Sequence, residues 1–487
     1  MANYKQQLFT DEHYNTHEKR NVLGRGGQGV AYRTKDTDIA LKLAIIKDSG
    51  KPITDKVEIR RFQTKIQNIR LLPIPENINI TKPMAMLKES AGYVMYLLNE
   101  MQSFNNIWFD IKDTEDIPNW LKGVEEKAAK QLAHYSNTGG LRRRLVGLAK
   151  CASIISELHS MGLVFGDISP ENVFISKKKK DNEVWLIDPD NIKFCKAGVK
   201  GGVYTPKYGA PELVQSKSGG SFKTDCHSFC VLAFWLLTLN HPFIGDYVTN
   251  SNTDWAVDTD EEKDLDEKAY AGILPWIDDA NDDYNYTDNG LPRSLVLTDK
   301  LQELFQFTFG VGRTAPWKRP TIFHWPKALM EAYDKTIECL ECKMSFYHED
   351  GLNVCPFCGA KIDDLLIVKT YLYDEKNNKK KNLEWTLIRE LKSKDIKITL
   401  PNRIFSPFSN KEFDVPILSL NRVRSSSNIK LKRMENDLAL YYSSDSNSTN
   451  LERLNVLNRL SITSLTKGIT LIVKGHIPMF IEIKRIK

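Results

Sequence analysis

Apolar and polar positions follow different periods along the chain, and these periods predict helices in its middle. Apolar residues recur every three to four positions over residues 141–161, which predicts an amphipathic helix that stops at Gly162. A further helix is predicted over residues 56–71. The apolar run 229–239 is too short to span a bilayer and is typical of a buried helix.

Strand-like runs lie towards both ends of the chain. Residues 38–46 and 93–98 are short and apolar, as buried strands are. Beyond residue 365, short apolar runs, 462–464 among them, recur about every 8–12 residues between turns rich in Asn, Ser and Gly. This spacing predicts a β-sandwich-like domain at 365–487.

Polar residues interrupt the apolar pattern where chemistry is expected. Asp167 and Asn172 lie five residues apart on a predicted loop, and Asp188 follows the strand-like run 183–187. A carboxylate can accept or orient a hydroxyl proton, and an Asn oxygen with a second carboxylate suits a hard cation such as Mg²⁺. The alternative is a turn network that satisfies itself.

Three glycines, Gly24, Gly26 and Gly29, stand in G-x-G-x-x-G spacing. An alternating strand pattern follows them instead of a helix, which disfavours a dinucleotide fold and favours a hairpin over a nucleotide. Lys42, on the next predicted strand, would then touch phosphates; the alternative is an ordinary surface lysine.

In this order, the features resemble the signature set of the protein kinase family. The resemblance covers residues 15–335 and also rests on Ala210-Pro211-Glu212, on the helix that begins near Asp225 and on Arg319-Pro320-Thr321. It implies an α+β, bilobal protein kinase-like fold, followed here by a zinc ribbon and the β-sandwich-like domain. The predicted domains are a tail (1–14), an N-lobe (15–98), a C-lobe (99–335), the ribbon (336–364) and a basic β-rich domain (365–487).

The resemblance also implies ATP and Mg²⁺ as cofactors and gives each site residue a role. Asp167 is the catalytic base or hydroxyl-orienting group, Asn172 and Asp188 bind Mg²⁺, and Lys42 completes the catalytic set. The nucleotide-binding residues are Gly24, Gly26, Gly29, Lys42 with Glu58 as its partner, Met95 as gatekeeper, and the hinge from Tyr96 to Leu98. The supporting residues are Asp225 behind the catalytic loop, a Glu212–Arg319 ion pair, and Thr205, which reaches the catalytic Asp in kinases that act on Ser and Thr.

Three departures from the family pattern bear on activity. Phe165-Gly166 replaces His-Arg before the catalytic Asp, Ser169 replaces a Lys, and Asp188-Pro189-Asp190 replaces Asp-Phe-Gly. Because Lys42, Asp167, Asn172 and Asp188 remain, we expect an active but atypical Ser/Thr protein kinase. The alternatives are a nucleotide-binding pseudokinase scaffold and a small-molecule phosphotransferase.

Four cysteines, Cys339, Cys342, Cys355 and Cys358, form a C-x2-C-x12-C-x2-C pattern. Two such knuckles close a tetrahedron of thiolates, which predicts a structural Zn²⁺. A redox disulfide is the alternative.

Charge separates the two ends of the chain. The net charge is +6, but residues 365–487 carry 23 Lys+Arg against 12 Asp+Glu, while the rest carries 45 against 50. Residues 246–288 contain 14 acidic residues and two lysines, which indicates either a docking patch for a basic substrate or a solvated loop. The lack of a spanning run and of a signal-peptide pattern predicts a cytoplasmic protein without membrane contact.

The expected partners are a protein substrate and, by similarity to bacterial kinases of this architecture, a von Willebrand-type protein and a PP2C-type phosphatase. The C-terminal domain resembles forkhead-associated domains, which bind phosphothreonine, and places Arg403, Arg422 and residues 425–427 in predicted loops. Nucleic-acid binding by its basic surface and generic protein interaction are the alternatives.

Overall fold

The computed structural model describes residues 7–46, 49–112, 116–196, 198, 200–251, 264–362, 364–391, 396–408, 413–422, 428–434, 438–443, 452–454 and 457–486. The strands, numbered in chain order, are β1 Leu8–Thr10, β2 Thr16–Arg25, β3 Gly29–Thr34, β4 Ile39–Ala44, β5 Ala85–Met86, β6 Gly92–Tyr96, β7 Met101–Ser103, β8 Leu163–Val164, β9 Val173–Ser176, β10 Val184–Leu186, β11 Lys193–Phe194, β12 Thr336–Glu338, β13 Ser345–Tyr347, β14 Leu365–Asp374, β15 Lys379–Glu390, β16 Ile396–Pro401, β17 Pro416–Arg422, β18 Asn428–Arg433, β19 Ala439–Ser443, β20 Glu452–Arg453, β21 Leu457–Ser461, β22 Ile469–Lys474 and β23 Met479–Ile486.

The helices are numbered in the same way. They are α1 Lys56–Arg70, α2 Glu126–Asn137, α3 Gly140–Ser160, α4 Pro211–Val214, α5 Phe222–Thr238, α6 Asp246–Ser251, α7 Asp264–Tyr270, α8 Arg293–Val296, α9 Asp299–Phe305, α10 Gly312–Thr314, α11 His324–Asp334, α12 Asn402–Phe405 and α13 Ile462–Lys467. None of these described helices is long and apolar enough to cross a membrane.

The chain forms two compact units. Unit 1 comprises Met1–Asp110, Val146–Arg293 and Leu297–Pro326, and unit 2 comprises Ile111–Leu145, Ser294–Val296 and Lys327–Lys487. The mixture of antiparallel sheets and helices confirms the predicted α+β class.

A six-stranded antiparallel sheet, in the order β1-β2-β3-β4-β6-β5, opens unit 1. Because side chains alternate along a strand, Leu41 and Leu43 of β4 enter an apolar cluster with Val94, while Lys42 pairs in register with Tyr93. The sheet thereby turns its one buried lysine to the face opposite that cluster.

Helix α1 begins at an N-cap. The Asp55 carboxylate accepts from the backbone N–H groups of Val57 and Glu58, which satisfies donors that a helix start leaves free. Ile66 and Ile69 then pack against Tyr93, so α1 presents an apolar face to the lysine side of the sheet.

The predicted central helices are confirmed as α3 and α5. Helix α5 starts with a capping box between Ser221 and Thr224. Nearly all of its side chains are buried, and residues 229–237 are apolar on every side, as expected for a helix segment inside a core. Phe234 of α5 packs edge-to-face on Phe305 at a centroid distance of 5.2 Å.

Unit 2 contains the cysteine-rich segment, the antiparallel pair β12-β13 and two larger antiparallel sheets. The sheets have the orders β15-β14-β23-β22-β19-β20 and β16-β17-β18-β21, so the expected β-rich region is confirmed. The strand predicted at 462–464 is wrong: these residues begin α13, because the Ser461 hydroxyl caps the helix by accepting from the Ser464 N–H.

The predicted loop positions of Arg422 and Arg403 are also wrong: Arg422 ends strand β17, in register with Ile396 of β16. Arg403 lies in α12, is 4% exposed, and its guanidinium binds Asp334 and Asp414. The Arg403 side chain is therefore engaged inside unit 2. Residues 425–427 and the part of the acidic segment at 252–263 lie outside the described residues.

Candidate active site

The glycine-rich segment joins β2 to β3 as a hairpin, with Arg25 opposite Val30 in register. Gly24 and Gly26 lie in open space. A Cβ on Gly29 would stand 2.8 Å from the Leu43 carbonyl oxygen and 3.1 Å from Lys42 Cε. Only glycine therefore lets the hairpin lie this close to Lys42.

The Lys42 ammonium is held between two carboxylates of one short turn. Its Nζ donates to Asp188 Oδ1 at 2.5 Å and to Asp190 Oδ2 at 2.8 Å, and the residue is 7% exposed. Burial lowers the pKa of Lys42, but the charges of Asp190 and Asp188 outweigh burial and raise it above its ordinary value. Lys42 is therefore a fixed cation beneath the glycine hairpin.

The ion pair expected between Lys42 and Glu58 is not formed. Glu58 lies in the first turn of α1 with its side chain 49% exposed, and its carboxylate binds Arg61 at 2.7 Å. Instead, Asp190 occupies the buried side of Lys42. The sequence revealed Asp190 only as a departure from the Asp-Phe-Gly pattern, because its contact spans 148 residues of chain.

The predicted gatekeeper and hinge follow on β6. Met95 packs against the cluster of Ile66, Ile69 and Tyr93, whereas Tyr96 is 63% exposed. Past the strand, the Leu97 N–H donates to the Asp38 carbonyl at 2.8 Å, and Leu98 is half-buried. The last residues of β6 therefore lie beside the first residues of β4, at the same end of the sheet.

Asp167 and Asn172 lie on the loop between β8 and β9. The Asn172 amide donates to the Asp167 carbonyl at 2.9 Å and to its Oδ2 at 3.3 Å, so the amide oxygen faces away from Asp167. The Thr205 hydroxyl donates to Asp167 Oδ1 at 2.7 Å. Burial raises the pKa of Asp167 above 3.8 and Asp188 adds to this, while the bonds from Thr205 and Asn172 oppose it.

The loop that carries Asp167 is supported from behind by Asp225. Its carboxylate accepts from the backbone N–H groups of Phe165 at 2.8 Å and Gly166 at 3.0 Å, and from His159 Nε2 at 3.1 Å. Gly166 has a φ of +86°, where L side chains are strained, and a Cβ there would lie 3.1 Å from the Asn191 carbonyl oxygen. The hydrogen bonds of Asp225 and the positive φ of Gly166 together fix the backbone conformation of this loop.

Asp188 takes a left-handed backbone conformation with a φ of 62°, directly before the short helical turn Pro189–Asn191. Pro189 suits the first position of that turn because its φ is already fixed. The turn is what carries both Asp188 and Asp190 to Lys42.

Two further predicted features can be located. Arg319 is 2% exposed and makes a bidentate pair with Glu212, at 2.7 and 2.8 Å. Ser169, which stands where the family has a Lys, is 1% exposed, and its hydroxyl has no hydrogen-bond partner among the described residues. The loop that carries Asp167 therefore has no cationic side chain at that position.

The four cysteines of the predicted ribbon converge in unit 2. Their Sγ atoms all lie within 4.8 Å of one another, with Cys339–Cys358 and Cys342–Cys355 at 3.6 Å. A Zn–S bond of about 2.3 Å gives tetrahedral S···S edges of about 3.8 Å. The sulfurs are too far apart for disulfides, whose S–S length is about 2.05 Å, and they fit a tetrahedral zinc ion.

Comparison with known proteins agrees with this geometry. The family model of the protein kinase domain matches residues 17–324. The chain is 34% identical over 101 residues to cGMP-dependent protein kinase 2 of Rattus norvegicus, covering 20% of this chain and 13% of that protein. It is 26% identical over 165 residues to the serine/threonine-protein kinase YabT of Bacillus subtilis, covering 33% and 39%.

The chain thus spans only about an eighth to two fifths of these relatives. The family model, in contrast, covers more than half of the chain and includes every element of the site around Lys42 and Asp167. The chain belongs to the protein kinase family.

Proposed function

We propose that this protein is an ATP- and Mg²⁺-dependent kinase that transfers the γ-phosphoryl group to Ser or Thr hydroxyls of proteins. The observation that carries the proposal is the convergence of Lys42, Asp167, Asn172 and Asp188. Lys42 pairs with Asp188, Asn172 binds Asp167, and the N–H of Ile187, the residue before Asp188, donates to the Asn172 carbonyl at 2.9 Å.

Each residue has a task in this reaction. The glycine hairpin would cover the phosphates, Lys42 would hold the α- and β-phosphates, and the backbone of Tyr96 and Leu98 would bind adenine. Asn172 and Asp188 would hold Mg²⁺, which neutralises phosphate charge when bound. Asp167 would accept or orient the proton of the attacking hydroxyl.

The bond from Thr205 to Asp167 supports Ser and Thr as acceptors. A hydroxyl already within hydrogen-bond distance of the carboxylate marks the place of an aliphatic acceptor hydroxyl. The bidentate Glu212–Arg319 pair favours a protein substrate over a small molecule, because this pair belongs to the protein kinase pattern. The von Willebrand-type and phosphatase partners, the phosphopeptide ligand and the cytoplasmic location stay predictions.

A labelled-ATP assay tests the proposal. We expect the wild-type protein with Mg²⁺ and a generic protein substrate to transfer phosphate, and Asp167→Ala to lose about 10²–10⁴-fold in rate, the range for removing a catalytic acid–base group. Asp188→Ala should also lose transfer, because a carboxylate that would hold Mg²⁺ is gone. Asp36→Ala, at an exposed turn, is the control. Wild-type transfer equal to that of the two site variants would contradict a kinase.

That contrary result would favour the second candidate, a nucleotide-binding pseudokinase scaffold. The buried Ser169 hydroxyl is the observation behind it, since no lysine from the loop stabilises the transferred phosphoryl group. ATP binding without transfer would identify this state.

A further inference from the structure

The side chain of Asp190 is fully engaged on the buried side of Lys42. One carboxylate oxygen accepts from Lys42 Nζ at 2.8 Å, and the other accepts from the Tyr93 hydroxyl at 2.9 Å. Asp190 is 3% exposed and Tyr93 is fully buried. Because Tyr93 is also the strand neighbour of Lys42 in register, the three side chains form one fixed buried group.

Asp188 differs from Asp190 in this respect. Its side chain is 29% exposed, against 3% for Asp190, although both contact the same ammonium. Under the proposed function Asp188 must turn to a metal ion. Only Asp190 is then left among the described carboxylates to keep the Lys42 ammonium in place.

Helix α1 contributes no carboxylate to this group. Glu58 is the one acidic residue of α1, and it lies in the first turn, paired with Arg61. The side of α1 that faces Tyr93 is formed by Ile66, Ile69 and Phe62. A buried cation facing only these side chains would lack a partner, and such burial is costly.

We propose that Asp190 is the positioning residue that directs Lys42 towards the phosphates of the nucleotide, held in turn by the Tyr93 hydroxyl, in place of an acidic residue on α1. This inference rests on the proposed function. It places the lysine anchor and a metal-binding carboxylate on one three-residue turn, so that a movement of α1 leaves the Lys42 ion pair intact.

The test measures how tightly Asp190→Asn and the matched control Glu58→Gln bind adenine ligands that carry phosphates, ATP and ADP, and one that carries none, adenosine. Calorimetry with ATP, ADP and adenosine measures each affinity, and steady-state kinetics separates KM for ATP from kcat. We expect Asp190→Asn to weaken ATP and ADP binding about 10- to 100-fold, the effect of losing a hydrogen bond to a charged group, and to leave adenosine binding unchanged. Glu58→Gln should keep all three affinities within about twofold of wild type, as is usual for exposed pairs.

A merely structural role for Asp190 would weaken ATP and adenosine equally, and that result overturns the inference. An unchanged ratio of ATP to adenosine affinity in Asp190→Asn also overturns it. The same holds if Glu58→Gln loses as much ATP affinity as Asp190→Asn does. If Asp190→Asn does not fold, Tyr93→Phe decides, because it removes only the hydroxyl that holds Asp190: a selective loss of ATP affinity supports the inference, and an unchanged ratio overturns it.

The same measurements separate this inference from the proposed function. Wild-type protein that binds ATP and transfers no phosphate contradicts the kinase activity, yet its affinity ratios still decide the role of Asp190. Wild-type protein that binds ATP no better than adenosine overturns both.

Discussion

Each unit buries a cluster of charges, and the two clusters are built oppositely. In unit 1, one cation, Lys42, contacts two carboxylates, and one of these, Asp188, has a side chain that is 29% exposed. In unit 2, one carboxylate, Asp334, contacts the guanidinium groups of Arg389 and Arg403 and is fully buried. The carboxylate at the centre of the second cluster, Asp334, is therefore closed to ligands, and this cluster reaches solvent only through Asp414, whose side chain pairs with Arg403 and is 56% exposed.

In the second cluster, both carboxylate oxygens of Asp334 accept hydrogen bonds. Its oxygens accept from Arg389 at 2.6 Å, from Arg403 at 2.6 and 3.0 Å, and from the Trp385 indole at 2.9 Å. Buried charges are tolerated when paired and hydrogen-bonded in this way. The contrast concerns the carboxylate at each centre: Asp334 has its hydrogen bonds satisfied inside unit 2 and is structural, whereas Asp188 is partly exposed and adjoins the loop of Asp167 and Asn172, which favours a cation or substrate there.

The largest expected effect concerns the four cysteines of unit 2, whose sulfurs fit a tetrahedral zinc ion. Removing zinc with a chelator under reducing conditions should unfold the ribbon, because structural zinc supplies on the order of 10 kcal/mol in zinc-finger peptides. Metal analysis should find one zinc per chain, and limited proteolysis should cut within residues 336–364 only after chelation.

Cysteine variants provide the control for the zinc prediction. Cys342→Ser should lose the metal, and Cys195→Ser, a cysteine outside the cluster, should keep it. Freshly purified, reduced protein with clearly less than one zinc per chain would exclude the ribbon.

The next effect tests the charge cluster around Asp334 in unit 2. Asp334→Asn should lower the free energy of unfolding by about 3–5 kcal/mol, the range for breaking a buried ion pair, because Arg389 loses its carboxylate partner and Arg403 keeps only the largely exposed Asp414. Denaturant unfolding measures this, and ATP affinity should stay unchanged. Glu375→Gln, at an exposed position of unit 2, should change the free energy of unfolding by less than about 0.5 kcal/mol. An equally small change in Asp334→Asn would show that the cluster around Asp334 does not stabilise unit 2.

The pH dependence of this effect has a definite sign. Burial raises the pKa of Asp334, but Arg403 and Arg389 outweigh it and hold the pKa below 3.8. The stabilising contribution is therefore fully present above the unfolded pKa of about 3.9 and is lost as pH falls through the lower folded pKa. The stability difference between wild type and Asp334→Asn should shrink accordingly in acid.

The smallest effect tests the candidate active site of unit 1. Thr205→Val removes the hydroxyl whose bond lowers the pKa of Asp167 against the effect of burial, so this pKa should rise further. Since the proposed mechanism needs the ionised carboxylate, the acid limb of kcat/KM should move to higher pH. Thr205→Ser should restore the wild-type profile, and an acid limb that stays in place in Thr205→Val would show that this bond does not tune Asp167.

Local motifs predicted a large part of the fold and the candidate site. Helices α3 and α5, the glycine hairpin, the loop with Asp167 and Asn172 and the converging cysteines could all be predicted, because each depends on residues close together in sequence. The Lys42–Asp190 and Asp334–Arg403 pairs could not, since their partners are separated by 148 and 69 residues and meet only through packing. Segment 462–464 was mispredicted because its apolar content is that of a strand, and the Ser461 cap decides for a helix.

The discontinuous make-up of unit 2 has a consequence for the protein's synthesis. The Ser136 hydroxyl of α2 donates to the Cys342 carbonyl, 206 residues later in the chain, and Tyr347 donates to the Val296 carbonyl. At about 5–20 residues per second, a ribosome needs roughly 10–40 s to make that intervening stretch. The Ser136–Cys342 contact can therefore form only after this interval, so unit 2 is completed late in synthesis, once the ribbon has been made.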